Sequence, residues 1–142
     1  MTEQAHKLSE AGWHEGRSVD HRTAIERLES EGHALADWFP GVIGEFDGLT
    51  LDFNRNGRDD QVVLAPAEAG RRWYPATIAN YAERVGSSLL PVGYSYHEHL
   101  ALLVAEEGQW YAGHDDELWR IGGSAHEAME RLVDGSGFDP VD

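Results

Sequence analysis

Residues 89–121 read LLPVGYSYHEHLALLVAEEGQWYAGHDDELWRI, and this stretch decides the fold. Short apolar runs alternate in it with polar segments that contain glycine and acidic residues, which are typical of turns. This is the pattern of successive strands rather than of helices. Pro91 cannot donate a backbone hydrogen bond to a ladder, so it marks an edge or a bulge. The predicted strands cover residues 89–94, 100–104, 110–111 and 118–121.

The segment after these strands carries the clearest helix signal. Ser124 to Glu127 reads SAHE, a capping-box pattern in which each of the two side chains can satisfy the other residue's backbone N–H group. Apolar residues follow at positions 128, 132 and 133, and Gly135 is suited to end a helix. A C-terminal helix is therefore predicted.

Before residue 89 the pattern changes twice. A helix is predicted over residues 75–85, with Gly86 as its stop, and residues 66–70 are interpreted as a connector. A hairpin precedes them, with strands over 49–53 and 61–64 and a loop over 54–60.

The first 46 residues favour helices. The predicted helices cover residues 3–11, residues 21–31 with Asp20 as the N-cap, and residues 34–45. Pro40 and Gly41 interrupt the third helix near its middle.

These elements predict an α+β fold in one domain, residues 1–142. N-terminal helices pack on a largely antiparallel sheet, and a C-terminal helix completes the layers. No G-x-G-x-x-G or P-loop sequence is present, so no nucleotide cofactor is expected.

The charge of the chain is strongly negative. Twenty-six acidic and eleven basic residues give −15, and residues 97–142, with eleven acids and two bases, carry −9 of it. Such a field repels nucleic acid and anionic lipid and attracts cationic partners, although acidity also serves solubility alone. The polar N-terminus shows no signal peptide, and the absence of cysteine suits a reducing compartment. A cytoplasmic protein is expected.

Six residues are candidate contacts for a protein partner. Glu106 and Glu107 occupy a predicted hairpin tip, and Asp115, Asp116 and Glu117 form the densest acidic run. Both groups have an alternative interpretation as solvated loops without a role. Trp73, which stands beside Tyr74 and two arginines, is of the residue type that anchors protein interfaces.

The sequence offers little support for catalysis. His97 and His99 flank Glu98 at a predicted strand entrance, and strand alternation places both on one face, where His114 or Asp115 could supply a third metal ligand. A small metal-dependent enzyme is thus an alternative, although the string lacks an H-E-x-x-H helix or any cysteine. No serine lies in a G-x-S-x-G elbow, so no hydrolase triad is predicted. The sequence thus predicts no catalytic residue, metal site or cofactor.

Three stretches in order resemble a known family. They are LSEAGWHEGRSVD at 8–20, FDGL at 46–49, and YAERVG at 81–86 followed by LPVG at 90–93. A leucine-rich strand, a glycine turn, Trp110-Tyr111 and a Gly122-Gly123-Ser124 helix start come after them. In order and spacing, over residues 8–135, the chain resembles the third group of SUKH-superfamily immunity proteins. Asp47 and Glu106 depart from the family's pattern.

This resemblance implies an α+β fold and an antidote role in bacterial polymorphic toxin systems. Such proteins bind a cognate toxin, often a nuclease or another nucleic-acid-modifying enzyme, without catalysis or a cofactor. The implied partner is a basic protein toxin, with neither nucleic acid nor a membrane as a direct partner. A general protein-interaction adaptor of the same fold remains an alternative. The resemblance transfers no contact residues.

Overall fold

The computed structural model describes residues 8–97 and 99–142. Within them, seven strands form one sheet in the order β1 to β7, and each strand pairs antiparallel with the next one along the chain. The strands are β1 (Leu49–Arg55), β2 (Arg58–Leu64), β3 (Leu89–Ser95), β4 (Leu100–Ala105), β5 (Trp110–His114), β6 (Glu117–Gly122) and β7 (Asp139–Pro140).

Helices lie before, between and after these strands. The helices with fully described bounds are α1 (Arg22–Ser30), α2 (Phe39–Phe46), α3 (Pro66–Arg72), α4 (Pro75–Val85) and α5 (Ala125–Asp134). The predicted α+β layout, with a C-terminal helix, is confirmed. Most of the predicted helix 3–11 lies outside the described residues, and its described part, residues 8–10, is helical.

The sheet buries both of its faces in its middle. Alternate residues of β4 point to opposite sides, so Leu102 packs toward Met129 of α5 and Leu103 packs toward Tyr81 of α4. All six residues of β4 are buried, as expected for a strand covered on both faces. A third cluster joins α1 and α2 to Leu90 of β3.

The first hairpin is longer than predicted. Residues 54–60 are mostly strand, because Arg55 pairs with Arg58 and only Asn56 and Gly57 remain in the turn. Both turn residues have positive φ, 56° and 80°, which is the geometry that Asn-Gly adopts in two-residue hairpin turns. The prediction of a loop over 54–60 is wrong because Asn56-Gly57 alone forms the turn, so the residues on either side of it remain in the strands.

Two helix predictions also need correction. Helix α2 begins at Phe39 rather than at residue 34, which puts Pro40 in the first turn, where its missing N–H costs no helical hydrogen bond. The predicted connector 66–70 lies within α3, whose first residue is Pro66, where the missing N–H again costs no helical hydrogen bond. Proline therefore marks a helix start at both places. Of the two alternatives predicted at Pro91, an edge or a bulge, the structure shows a bulge, with a register shift between Pro91 and Gly93.

Two helices show how the predicted caps are built. The Asp20 carboxylate accepts the Arg22 N–H at 2.9 Å, although the residue that precedes α1 is His21. At α5 the Ser124 hydroxyl oxygen accepts the Glu127 N–H at 3.2 Å, which is the serine half of the predicted capping box. The Glu127 carboxylate instead pairs with Arg131 at 3.0 Å.

Replacing Ser124 by alanine is expected to lower the free energy of unfolding by about 1 kcal/mol, since the first turn of α5 loses an acceptor. Urea denaturation followed by circular dichroism measures the change. Ser136 lies exposed just beyond α5, so Ser136→Ala is the control and should shift stability by less than about 0.5 kcal/mol. Equal effects of the two substitutions would contradict a capping role.

Candidate functional site

The five acidic candidate residues lie at two ends of the sheet. Glu106 and Glu107 are in the turn between β4 and β5, whereas Asp115 and Asp116 are in the turn between β5 and β6, and Glu117 begins β6. Strand β5 separates the two turns by about 15 Å along its length. The five acidic candidate residues therefore form two separate patches.

The sixth candidate, Trp73, lies near the second patch. It follows α3 directly, at the corner where the chain turns into α4. Trp73, Asp115 and Asp116 line one open cleft of about 770 Å³, together with Tyr74 and Tyr81. This space is named the corner cleft. The structure thus brings three of the six candidate residues together and leaves Glu106, Glu107 and Glu117 outside the lining of this cleft.

Side chains of helix α4 hold the backbone of the acidic turn in place. The Tyr81 hydroxyl donates to the Asp115 carbonyl oxygen at 2.6 Å. Arg84 donates to the Asp116 carbonyl oxygen at 2.8 Å and to the Val141 carbonyl oxygen at 2.6 Å. The Asp115 side chain itself is 87% exposed. The turn therefore presents carboxylates to solvent from a backbone that is held in place.

The protonation state of Tyr81 suits this role. Burial raises the pKa of its phenol above the ordinary 10.0, and the negative charge of Asp115 adds to the rise while Arg84 opposes it. The hydroxyl consequently remains a hydrogen-bond donor at neutral pH.

The opposite side of the corner cleft is aromatic. Tyr74 is 77% exposed, the largest exposure among the big apolar side chains that the structure describes. Trp73 is half-buried and packs against the cluster around Tyr81. Arg72 pairs with Glu68 at 3.3 Å, and its guanidinium carbon lies 4.4 Å from the centre of the Tyr94 ring. The corner therefore offers an exposed ring beside an arginine whose charge is already engaged.

The proposed pair of metal-binding histidines does not form. Tyr96 and His97 have positive φ, 51° and 55°, so His97 lies in a turn where strand alternation does not apply. The His97 ring is 3.9 Å from Asp60, whereas the His99 ring faces His114 with 6.4 Å between ring centres. No three His, Asp or Glu side chains in the described part of the chain meet as metal ligands. The described residues therefore give the two-histidine alternative no support.

A second cleft adjoins the corner cleft. It measures about 480 Å³, and its lining is mainly apolar: Tyr96, Leu100 and Trp119, with His99 and His114 at the border to the corner cleft. We name it the aromatic cleft. The sequence pattern predicts a strand at Trp119 but does not reveal this cleft, because it does not show that Tyr96 and Trp119 lie close together in space.

The arrangement offers surfaces that are suited to binding. Two exposed carboxylates on a turn whose backbone is held, an exposed tyrosine and an apolar cleft are features that suit a protein-docking site. Among residues 8–97 and 99–142, no helix has the length and apolar composition needed to cross a bilayer.

Comparison with known proteins agrees with the resemblance in the sequence. The family model described as SUKH-3 immunity protein matches residues 2–135, nearly the whole chain. Neither the curated proteins nor the solved structures give a match. Because the family model covers far more than half of the sequence, the chain belongs to the SUKH-3 immunity protein family.

Proposed function

We propose that this immunity protein binds a cognate toxin through the corner cleft and thereby blocks it. The observation that carries the proposal is the pairing of a fixed acidic turn, Asp115-Asp116, with the exposed ring of Tyr74 across one cleft. The backbone of the acidic turn is already held, so it loses little conformational freedom on binding, and tyrosine is a frequent anchor of interfaces.

The charge of the chain supports a basic partner. A net charge of −15 accelerates encounter with a positively charged protein, and nucleases and nucleic-acid-modifying toxins are basic where they hold their substrate. Occupation of that substrate channel by the acidic turn blocks the toxin without chemistry, so the proposal requires no catalytic residue, metal or cofactor in the chain. We place this encounter in the cytoplasm, where such a toxin meets nucleic acid.

The two acidic patches allow a matched test. Asp115→Asn with Asp116→Asn removes two negative charges at the corner cleft, and Glu106→Gln with Glu107→Gln removes two at the other end of the sheet. Since a partner at the corner cleft meets only the first pair, we expect the aspartate variant to bind the toxin about tenfold more weakly, mainly through slower association. Surface plasmon resonance at low and high salt measures both rates.

The glutamate variant is the control, because its net charge equals that of the aspartate variant. Asparagine tolerates the positive φ of Asp115, 51°, so the turn keeps its backbone. Equal weakening by both variants would assign the effect to overall charge and exclude the corner cleft. If the toxin encoded beside the gene gives no complex at low salt, the toxin-binding proposal fails and the adaptor role is favoured.

A further inference from the structure

We propose that the aromatic cleft receives an apolar side chain of the same toxin, carried on the segment whose basic residue meets Asp115 and Asp116. The inference rests on the proposed function and adds the chemistry of the partner. It makes the docking site a pair of adjoining clefts, one that selects a cation and one that selects an apolar group.

The walls of the aromatic cleft are formed before any partner arrives. The Tyr96 hydroxyl donates to the Leu132 carbonyl oxygen at 2.8 Å, and the Arg55 guanidinium carbon lies 4.1 Å from the centre of the Tyr96 ring. Phe138 supports both walls, with its ring centre 6.1 Å from that of Tyr96 and 6.1 Å from that of Trp119. A cleft whose side chains are already held loses little entropy on binding.

The floor of the cleft is apolar. Leu100 contributes to it and is 5% exposed, and the rings of Tyr96 and Trp119 are half-buried. Carbon-lined space of this kind gains free energy when an apolar group displaces its water, and a charged group would lose hydration there. The occupant is therefore an aliphatic or aromatic side chain.

Two histidines connect the two clefts. His99 and His114 line both of them, and the His114 ring nitrogen Nδ1 lies 3.0 Å from the His99 carbonyl oxygen. The next residue after His114 is Asp115, so the acidic turn begins where the aromatic cleft ends. Charge complementarity at that turn and continuity across the histidines assign both clefts to one partner segment that carries a basic residue beside an apolar one.

The two halves of such a site act on different rates. Charges at the rim of an interface steer the approach and change the association rate, whereas an apolar anchor in a water-excluding pocket holds the complex and changes the dissociation rate. This difference separates the inference from the proposed function.

Trp119→Ala tests the inference, with Trp119→Phe as the conservative variant. Surface plasmon resonance with the purified toxin should show dissociation from Trp119→Ala about thirtyfold faster than from the wild type, with association unchanged within about twofold. Trp119→Phe should recover most of the loss. A circular dichroism melt establishes that each variant is folded at the temperature of the binding measurement.

Fluorescence provides a second readout that does not depend on Trp119→Ala. The difference between the emission changes of the wild type and of Trp119→Phe on toxin binding reports Trp119, and it should show a move to shorter wavelength. Unchanged dissociation from Trp119→Ala, or equal emission changes in the wild type and in Trp119→Phe, would overturn the inference. The proposed function would survive that result as long as Asp115→Asn with Asp116→Asn still slows association.

Discussion

Replacing Gly93 by alanine is expected to lower the free energy of unfolding by about 3 kcal/mol or more, enough to unfold a large share of a marginally stable domain. A Cβ atom at this position would lie 2.1 Å from the Val63 carbonyl oxygen and 3.0 Å from the Leu64 Cα atom. Both are backbone atoms, so no side-chain rotation relieves the overlap.

The position explains the size of the effect. Gly93 pairs with Leu64, and this pair and the adjacent Val63–Tyr94 pair are the whole ladder between β2 and β3. A displacement there separates the first hairpin from the rest of the sheet. Thermal unfolding followed by circular dichroism measures the loss.

Gly41→Ala is the matched control. Gly41 lies in α2, and an added Cβ atom there has no heavy atom within 4 Å. The same chemical change should therefore raise stability by about 0.5–1 kcal/mol, because alanine favours the helix over the unfolded chain. If Gly93→Ala has the same melting temperature as Gly41→Ala and the wild type, the close approach of β2 and β3 at Gly93 is contradicted.

Replacing Tyr81 by alanine should cost about 3–5 kcal/mol, the range for removing a large buried ring. Tyr81 is 1% exposed and belongs to the core cluster between α4 and the sheet. Its loss also frees the Asp115 carbonyl oxygen, so the variant should release the toxin faster even at temperatures where it remains folded. Chemical denaturation and surface plasmon resonance measure the two effects.

Tyr81→Phe separates the ring from its hydroxyl. It keeps the packing and removes one partly buried hydrogen bond, so we expect a loss of about 1–2 kcal/mol. A raised tyrosine pKa means that the folded state holds the phenol proton more tightly than the unfolded state does. The stabilisation is therefore complete below the ordinary pKa of 10.0 and is lost as pH rises through the folded-state value.

Stability measured from about pH 9 to pH 11 should consequently fall less steeply for Tyr81→Phe than for the wild type. Tyr96, whose pKa burial also raises, contributes to the slope in both proteins. Identical alkaline slopes would contradict the raised pKa of Tyr81.

Two of the three stretches that reveal the family build the scaffold. The Trp13 indole N–H donates to the Glu45 carboxylate at 3.1 Å. Arg17 donates to the Glu45 and Asp47 carbonyl oxygens, both at 2.7 Å, and so satisfies free carbonyl groups where α2 ends. The stretches LSEAGWHEGRSVD and FDGL therefore meet in space for a structural reason. They predict the fold well and, for the same reason, contain none of the cleft residues.

The clefts could not be predicted because they depend on long-range placement. Trp73 and Asp115 are far apart in the sequence and meet only because α4 packs on the sheet, with its Tyr81 hydroxyl on the β5–β6 turn. Local pattern identifies α4 and the strands, yet it contains no information on which turn the helix faces. The net charge of the last third likewise does not show that Glu106 and Glu107 lie away from the Asp115–Glu117 run. The direction of β5 determines this separation.

The order of the strands has a consequence for how the chain folds. Each strand pairs with its neighbour along the sequence, and four of the six pairings close through a turn of only a few residues. Short closures cost little chain entropy, and folds with many near-neighbour contacts reach the native state faster than folds of similar size that join distant segments. An antidote protects only once it is folded, so a sheet assembled from consecutive strands shortens the interval between synthesis and protection.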